Sequence, residues 1–223
     1  MDIRRIATDN IQYNIVFSDA SDGNFKLDSD PQLLDKNRKN IVDLPWSWVR
    51  QVHGSKVVVI NEATGFIADA DGIATNSFNC PVSVTTADCS PVILIGSNAV
   101  AALHAGWRGL EAGIIEQGAL ALEKLGSTPI ATVLGPHISV SKYEFGKNDL
   151  DLMANKFGDE IIGETSNGLP ALDMYKGVSS ACKQVGWPVP QPAACTSDEN
   201  WFSHRVRKDA ARQVAVVWMS AIR

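Results

Sequence analysis

The stretch Thr86 to Gly109, TADCSPVILIGSNAVAALHAGWRG, constrains this chain more than any other. Two apolar arms, Pro91–Ile95 and Ala99–Leu103, flank Gly96-Ser97-Asn98, the pattern of a β-hairpin. A thiol, Cys89, enters the first arm; an imidazole, His104, leaves the second, with a Gly-Trp-Arg-Gly turn behind it. The turn decides whether the two side chains meet. With Gly96-Ser97 as a two-residue loop, Ile95 pairs with Asn98 and Cys89 faces His104, their Cβ atoms about 4.5–5.5 Å apart. With Ser97-Asn98 as the loop, His104 faces Pro91 and Cys89 is its diagonal neighbour on the same face. Side chains alternate with period two, so only an odd-length loop parts them. The hairpin therefore predicts that Cys89 and His104 share one site.

The rest of the chain reads as ordinary soluble protein. Its 223 residues suffice for one domain spanning 1–223, with 45% apolar and 20% charged residues. A net charge of −5 without a basic block argues against a nucleic-acid surface. MDIRRIATDN lacks an apolar signal core and no apolar run reaches membrane-spanning length, so a cytoplasmic location away from membranes is expected. The four cysteines form no CxxC pair and are expected as thiols.

In order, Tyr13–Ser18 reads as an opening strand, and Asp30-Pro31 as the cap and first residue of a helix over Pro31–Val42. Strands are expected at Trp46–Val52 and Val57–Ile60, with His53 in the break between them. Ala68–Asn76 (ADADGIATN) reads as a loop whose acceptors Asp69, Asp71 and Asn76 make an Asx-type turn rather than a cation site. Further strands are expected at Pro81–Thr86, Ile130–Leu134, Ala194–Thr196 and Val214–Met219. Helices are expected at Leu110–Leu125, capped by Gly126, at Asn148–Phe157 and at Asp173–Val185. Strands and helices intermingle without a βαβ rhythm, which predicts an α+β fold with mixed sheets. No glycine-rich phosphate loop is present.

Two imidazoles and a thiolate are a zinc ligand set that leaves a fourth position open. His53, Cys89 and His104 are the candidates. The same residues also suit a metal-free Cys–His hydrolase, with Cys89 as nucleophile and His104 as base, or a structural zinc. Asp88, beside Cys89, is the candidate proton carrier or orienting carboxylate. Arg108, in a glycine-flanked turn four residues after His104, is the candidate anion holder. His137 and His204 read as structural.

Several motifs then follow one another along nearly the whole chain: QVHG (51–54), ADGIATN (70–76), TADCSPVILIG (86–96), HAGWRGL (104–110), LGPHI…YE (134–144), ALD (171–173) and CT…FSHR…RQ (195–213). In these the chain resembles the laccase-domain family, long labelled polyphenol oxidoreductases and now described as purine nucleoside phosphorylases. The resemblance implies helices outside two mixed sheets, in α/β/β/α layers. It implies a metal site of His53, Cys89 and His104, holding zinc with copper as the alternative occupant. It also implies phosphorolysis of adenosine, inosine and methylthioadenosine, with deamination of adenosine. The implied partners are a purine nucleoside and phosphate, and a homodimer is compatible with the reading. The copper-oxidase label fits poorly, since four histidines cannot fill both a mononuclear and a trinuclear copper site. The chain departs from the family where Ser18-Asp19-Ala20 carries no arginine, where Ser141-Lys142 replaces a cysteine pair, and where Ala211-Arg212-Gln213 replaces GRQ.

Overall fold

Unbroken apolar runs such as Val92–Ile95 arise because their strands are buried on both faces. The computed structural model describes residues 1–222. One mixed sheet orders six strands as β1 (Asp2–Ala7), β2 (Ile11–Phe17), β13 (Gln213–Ala221), β7 (Val82–Thr86), β3 (Ser47–Arg50) and β5 (Gly65–Asp69). The other orders five as β10 (Pro129–Leu134), β8 (Ser90–Gly96), β9 (Val100–Ala105), β6 (Gly72–Thr75) and β4 (Val57–Ile60). A separate ribbon pairs β11 (Ile162–Glu164) with β12 (Pro170–Leu172).

The alternation along each strand divides its side chains between two cores. Ile93, Ile95, Val100 and Ala102 point between the sheets, against Ile15, Val84 and Val217. Val92, Leu94, Ala101 and Leu103 point the other way, onto α2 (Trp107–Glu111), α3 (Ile114–Lys124), α4 (Lys147–Phe157) and α5 (Met174–Gln184). On the far side of the first sheet, Val16, Val214 and Val216 pack on Leu34 of α1 (Pro31–Ile41). The layers are thus α/β/β/α, and the fold is α+β as the sequence predicts. Each buried Leu, Ile or Val contributes about 1.5–3 kcal/mol relative to exposure. A one-residue slip would exchange the two cores, so the register is firmly set.

The hairpin takes the Ser97-Asn98 loop. Gly96 N–H donates to Ala99 O (2.9 Å), and Pro91 pairs with His104. Cys89, two residues before Pro91, is therefore the diagonal neighbour of His104.

Other expectations change. Ala68–Asn76 is not one loop, because most of it lies in β5 and β6, and β6 is interior to its sheet. The single helix over Leu110–Leu125 is two, α2 and α3, broken at Gly113, whose φ of 93° leaves the helical region. The Ala194–Thr196 strand shrinks to an isolated bridge between Cys195 and His137. An edge strand, β1, precedes the expected first strand, and the segment after Phe202 winds into α6 (His204–Arg207). Asp30 caps α1 by accepting from Gln32 N–H and Leu33 N–H, and Asp173 caps α5. All four cysteines are free thiols. No helix among the described residues is long and apolar enough to cross a membrane.

Candidate metal centre and its cleft

His53, Cys89 and His104 converge where the chain passes between the sheets. His53 lies on the link from β3 to β4, Cys89 on the link from β7 to β8, and His104 near the end of β9. Their ligand atoms all lie within 4.8 Å of one another, and they are the one such cluster among the described residues. His104 is buried, Cys89 half-buried and His53 exposed. The two imidazole rings meet edge to face, with centroids 4.9 Å apart. Gly106 stands opposite Cys89 across the hairpin, and a methyl group there would come 3.1 Å from His53 Cδ2 and 3.2 Å from Cys89 Sγ. The glycine thus keeps the space between the three donors clear.

Asp71 organises this cluster, a role the Asx-turn reading of its segment did not assign. Its fully buried carboxylate accepts from the N–H groups of Val52 (3.2 Å), His53 (2.9 Å) and Gly54 (2.7 Å). These bonds hold the QVHG turn, in which His53 adopts a left-handed φ of 60°. Asp71 Oδ1 also lies 2.9 Å from His104 Nδ1. With Nδ1–H donating there, Nε2 remains the lone-pair nitrogen, as a metal ligand requires. Burial works to raise the Asp71 carboxyl, but His104 and the turn N–H groups outweigh it and hold it below the usual range.

Burial likewise opposes charge on Cys89, yet the His104 cation and hydrogen bonds from His104 and His53 draw the thiol down to about 6. Burial opposes the imidazolium too, yet Cys89 and Asp71 raise His104 to about 9. Without a metal, both shifts favour the thiolate–imidazolium form of the pair. The donor set, the clear space at Gly106 and the carboxylate behind His104 all fit a divalent metal.

The cluster opens on a cleft of about 590 Å³. Asp88 lines it, in a left-handed conformation (φ 91°) and almost wholly buried. Its carboxylate accepts from Thr196 Oγ1–H (2.6 Å), Ser203 Oγ–H (2.7 Å) and Arg205 N–H (2.5 Å). Arg108 is not brought to the cleft: it is exposed on α2, its guanidinium 4.3 Å from the Trp107 ring centroid. The cleft cations are Lys26, Arg50, Arg205 and Arg212. Sequence reasoning missed them because nothing in their spacing marks a shared wall; FSHR and RQ were the only signals. Tyr143 also lines the cleft, and burial first, then the negative charge at Cys89, pushes its phenol up, so it stays a neutral donor.

His204 lines the cleft as well, whereas His137 is buried and bonded through Nδ1 to Gly135 O (3.0 Å). Burial lowers the His137 imidazole, which is therefore neutral and structural.

A two-sheet sandwich carrying one His–Cys–His cluster among the described residues defines a class of α+β protein with a candidate metal centre. The chain belongs to the multi-copper polyphenol oxidoreductase laccase family, whose model matches residues 17–220. It is 35% identical over 204 residues to a purine nucleoside phosphorylase of Pseudomonas aeruginosa, covering 86% of this chain and 83% of that protein. It is 30% identical over 206 residues to a purine nucleoside phosphorylase of Corynebacterium glutamicum, covering 85% and 83%. A hypothetical protein of Bacillus licheniformis shares the fold at a TM-score of 0.83 and 20% identity, over 97% of this chain and 98% of that one. A Neisseria meningitidis protein does so at 0.78 and 24%, over 99% and 100%.

Proposed function

We propose that this chain is a zinc-dependent purine nucleoside phosphorylase. The observation that carries the reading is the His53–Cys89–His104 cluster, oriented by Asp71, at the wall of a cleft that also presents cations and a neutral phenol. The kinship to named purine nucleoside phosphorylases supplies the reaction class. Adenosine, inosine and methylthioadenosine are the expected nucleosides. Deamination of adenosine is the expected side reaction, scored by inosine and ammonia.

His53, Cys89 and His104 would hold the metal, which supplies Lewis-acid stabilisation of developing negative charge. Asp71 keeps His104 in the tautomer that ligates and keeps the His53 turn in place. A phosphate oxygen bonds to C1′ as the C1′–N9 bond breaks; the electron pair leaves on the purine, and the proton that hydrogen phosphate brings ends on the base. The cleft cations neutralise phosphate so that it can approach the sugar. The neutral Tyr143 phenol is a hydrogen-bond donor for the departing base. The family's multi-copper label does not fit this chain, because His137 is bonded elsewhere and a single cluster of donors is present among the described residues. Copper would be an alternative occupant of the one centre, since it outbinds zinc at such donors.

A second reading rests on the thiolate–imidazolium pair, since Cys89 as nucleophile and His104 as base would make a hydrolase of an amide-type substrate. One experiment separates the two. Zinc-loaded and metal-free protein are each given inosine and phosphate, alongside the His104→Ala variant, and products are identified by mass spectrometry. Hypoxanthine with ribose 1-phosphate from the zinc-loaded wild type alone is expected. Absence of these products from metal-loaded protein would overturn the phosphorylase reading.

A further inference from the structure

The four cations that line the cleft are not equivalent. Arg50 is clamped on Asp69 by two hydrogen bonds, 2.7 and 2.6 Å, and Lys26 is paired with Asp28 at 2.8 Å. Arg212 spends its Nη1 on the carbonyls of Asp209, Ala210 and Ala211, which leaves its other nitrogens uncommitted. Arg205 makes no ion pair among the described residues, and its guanidinium stands over the Tyr143 ring, 5.0 Å from the centroid. A surface arginine without a carboxylate partner is ordinary; this one is held in place from two sides. Asp88 takes its backbone N–H and the Ser203 hydroxyl that caps α6. Gln213 clasps Phe202, accepting its N–H at Oε1 (2.9 Å) and donating from Nε2 to its carbonyl (3.2 Å).

Gln213 also pairs in register with Thr86 of β7, so the Arg205 segment, Arg212 and Thr86 are tied to one sheet end. Thr86 lines the cleft, is 2% exposed, and its hydroxyl has no hydrogen-bond partner among the described residues. A buried hydroxyl without a partner costs about 1–3 kcal/mol, so one that lines the same cleft as Arg205 and Arg212 is placed to meet a polar ligand. Two guanidinium groups that no carboxylate among the described residues neutralises, together with a hydroxyl, suit a tetrahedral oxyanion.

We propose that Arg205, Arg212 and the Thr86 hydroxyl form the phosphate pocket of this cleft, and that Asp88 is the residue that positions Arg205. This assignment rests on the phosphorylase reading for phosphate as the reacting anion. It moves the anion site away from Arg108. It also gives Asp88 a different part: its three accepted hydrogen bonds hold the arginine-bearing turn, and the carboxylate carries no proton in the reaction.

The test measures binding and turnover separately. Binding of inorganic phosphate to the zinc-loaded protein is followed by calorimetry for the wild type and for Arg205→Gln, Arg205→Lys and Arg108→Gln. Loss of a charge-assisted, two-pronged contact should weaken phosphate binding in Arg205→Gln by roughly 10- to 100-fold. Arg205→Lys should recover part of it, and Arg108→Gln should bind as the wild type does. With inosine as substrate, Arg205→Gln should raise the KM for phosphate far more than the KM for inosine. For Asp88→Asn, the positioning role predicts a higher phosphate KM with the pH profile of kcat unmoved, whereas a proton carrier would shift that profile. Phosphate affinity unchanged in Arg205→Gln, or lost instead in Arg108→Gln, would overturn the assignment even if phosphorolysis is real. So would a wild type that binds adenosine 5′-monophosphate but not inorganic phosphate, which would make the pocket a nucleotide site. If phosphate binds through Arg205 and no nucleoside is cleaved, the pocket stands and the phosphorylase reading falls.

Discussion

Replacing Asp71 by Asn should damage both the metal site and the fold, although the side chain keeps its shape. The carboxylate accepts four hydrogen bonds, two at each oxygen: His53 N–H and His104 Nδ1–H at Oδ1, Val52 and Gly54 N–H at Oδ2. Whichever way the new amide turns, its NH₂ faces two donors and two bonds are lost. Hydrogen bonds to a charged acceptor are worth about 1.5–3 kcal/mol each, which gives about 3–6 kcal/mol. The turn borders the cleft and His53 is exposed, so water replaces part of the loss and the expected cost is about 3 kcal/mol. That is a large share of a domain stability of roughly 5–15 kcal/mol. Urea denaturation of the metal-free proteins measures it. Zinc affinity, from competition with a chelator, should fall about 10- to 100-fold because His104 loses its charged partner and either its own bond or the bonds that hold the His53 turn are broken. The pH dependence follows from the sign of the shift. The Asp71 carboxyl is held below its ordinary value in the fold, so its contribution is complete above an unfolded value of about 3.9. That contribution fades as pH falls through the folded value, and the gap between wild type and variant should narrow only below about pH 4. An unchanged denaturation midpoint together with unchanged zinc affinity would refute the reasoning.

Three further outcomes are expected. In metal-free protein, alkylation of Cys89 should rise with pH through an inflection near about 6, be blocked by zinc, and move to higher pH in His104→Ala; an inflection unaltered by that substitution would contradict the pairing. Gly106→Ala should lower zinc affinity several-fold with little change in melting temperature, because the three atoms nearest its methyl group would all belong to His53, Cys89 and His104; unaltered zinc affinity would show that the space is not needed. Chelation should leave the far-UV circular dichroism intact, since three apolar cores form without the ligands; unfolding on chelation would make the centre structural.

How much of this was legible depends on where the information lies. The meeting of Cys89 and His104 follows from a short turn and period-two alternation, both local, so the sequence settles it to within two loop choices. The cap at Asp30 and the stop at Gly126 are equally local. β6 was hidden because Gly72, Ala74 and the preceding aspartates are poor strand formers; β6 is held by its neighbours β4 and β9 rather than by its own propensity. The part played by Asp71 was hidden for the same reason, since its partners lie 17 to 33 residues away. The break at Gly113 looks like a tolerated helical glycine until the chain must turn onto β9. Arg108 and Arg205 are alike in composition and local setting, and only the folded chain shows which one reaches the cleft. His53 entered the cluster with Cys89 and His104 on ligand chemistry and the family motifs alone, because a spacing of 36 residues carries no geometry.

The links that bear His53 and Cys89 are also two of the places where the backbone leaves the six-stranded sheet and enters the five-stranded one, β3 to β4 and β7 to β8. Both links contain a non-glycine residue in left-handed conformation, His53 and Asp88, each fastened by hydrogen bonds. Any sliding of one sheet across the other would have to pull these crossings apart. An ion bound by His53, Cys89 and His104 would therefore act as a rivet between the layers, and shear of the sandwich would be resisted at the wall of the cleft.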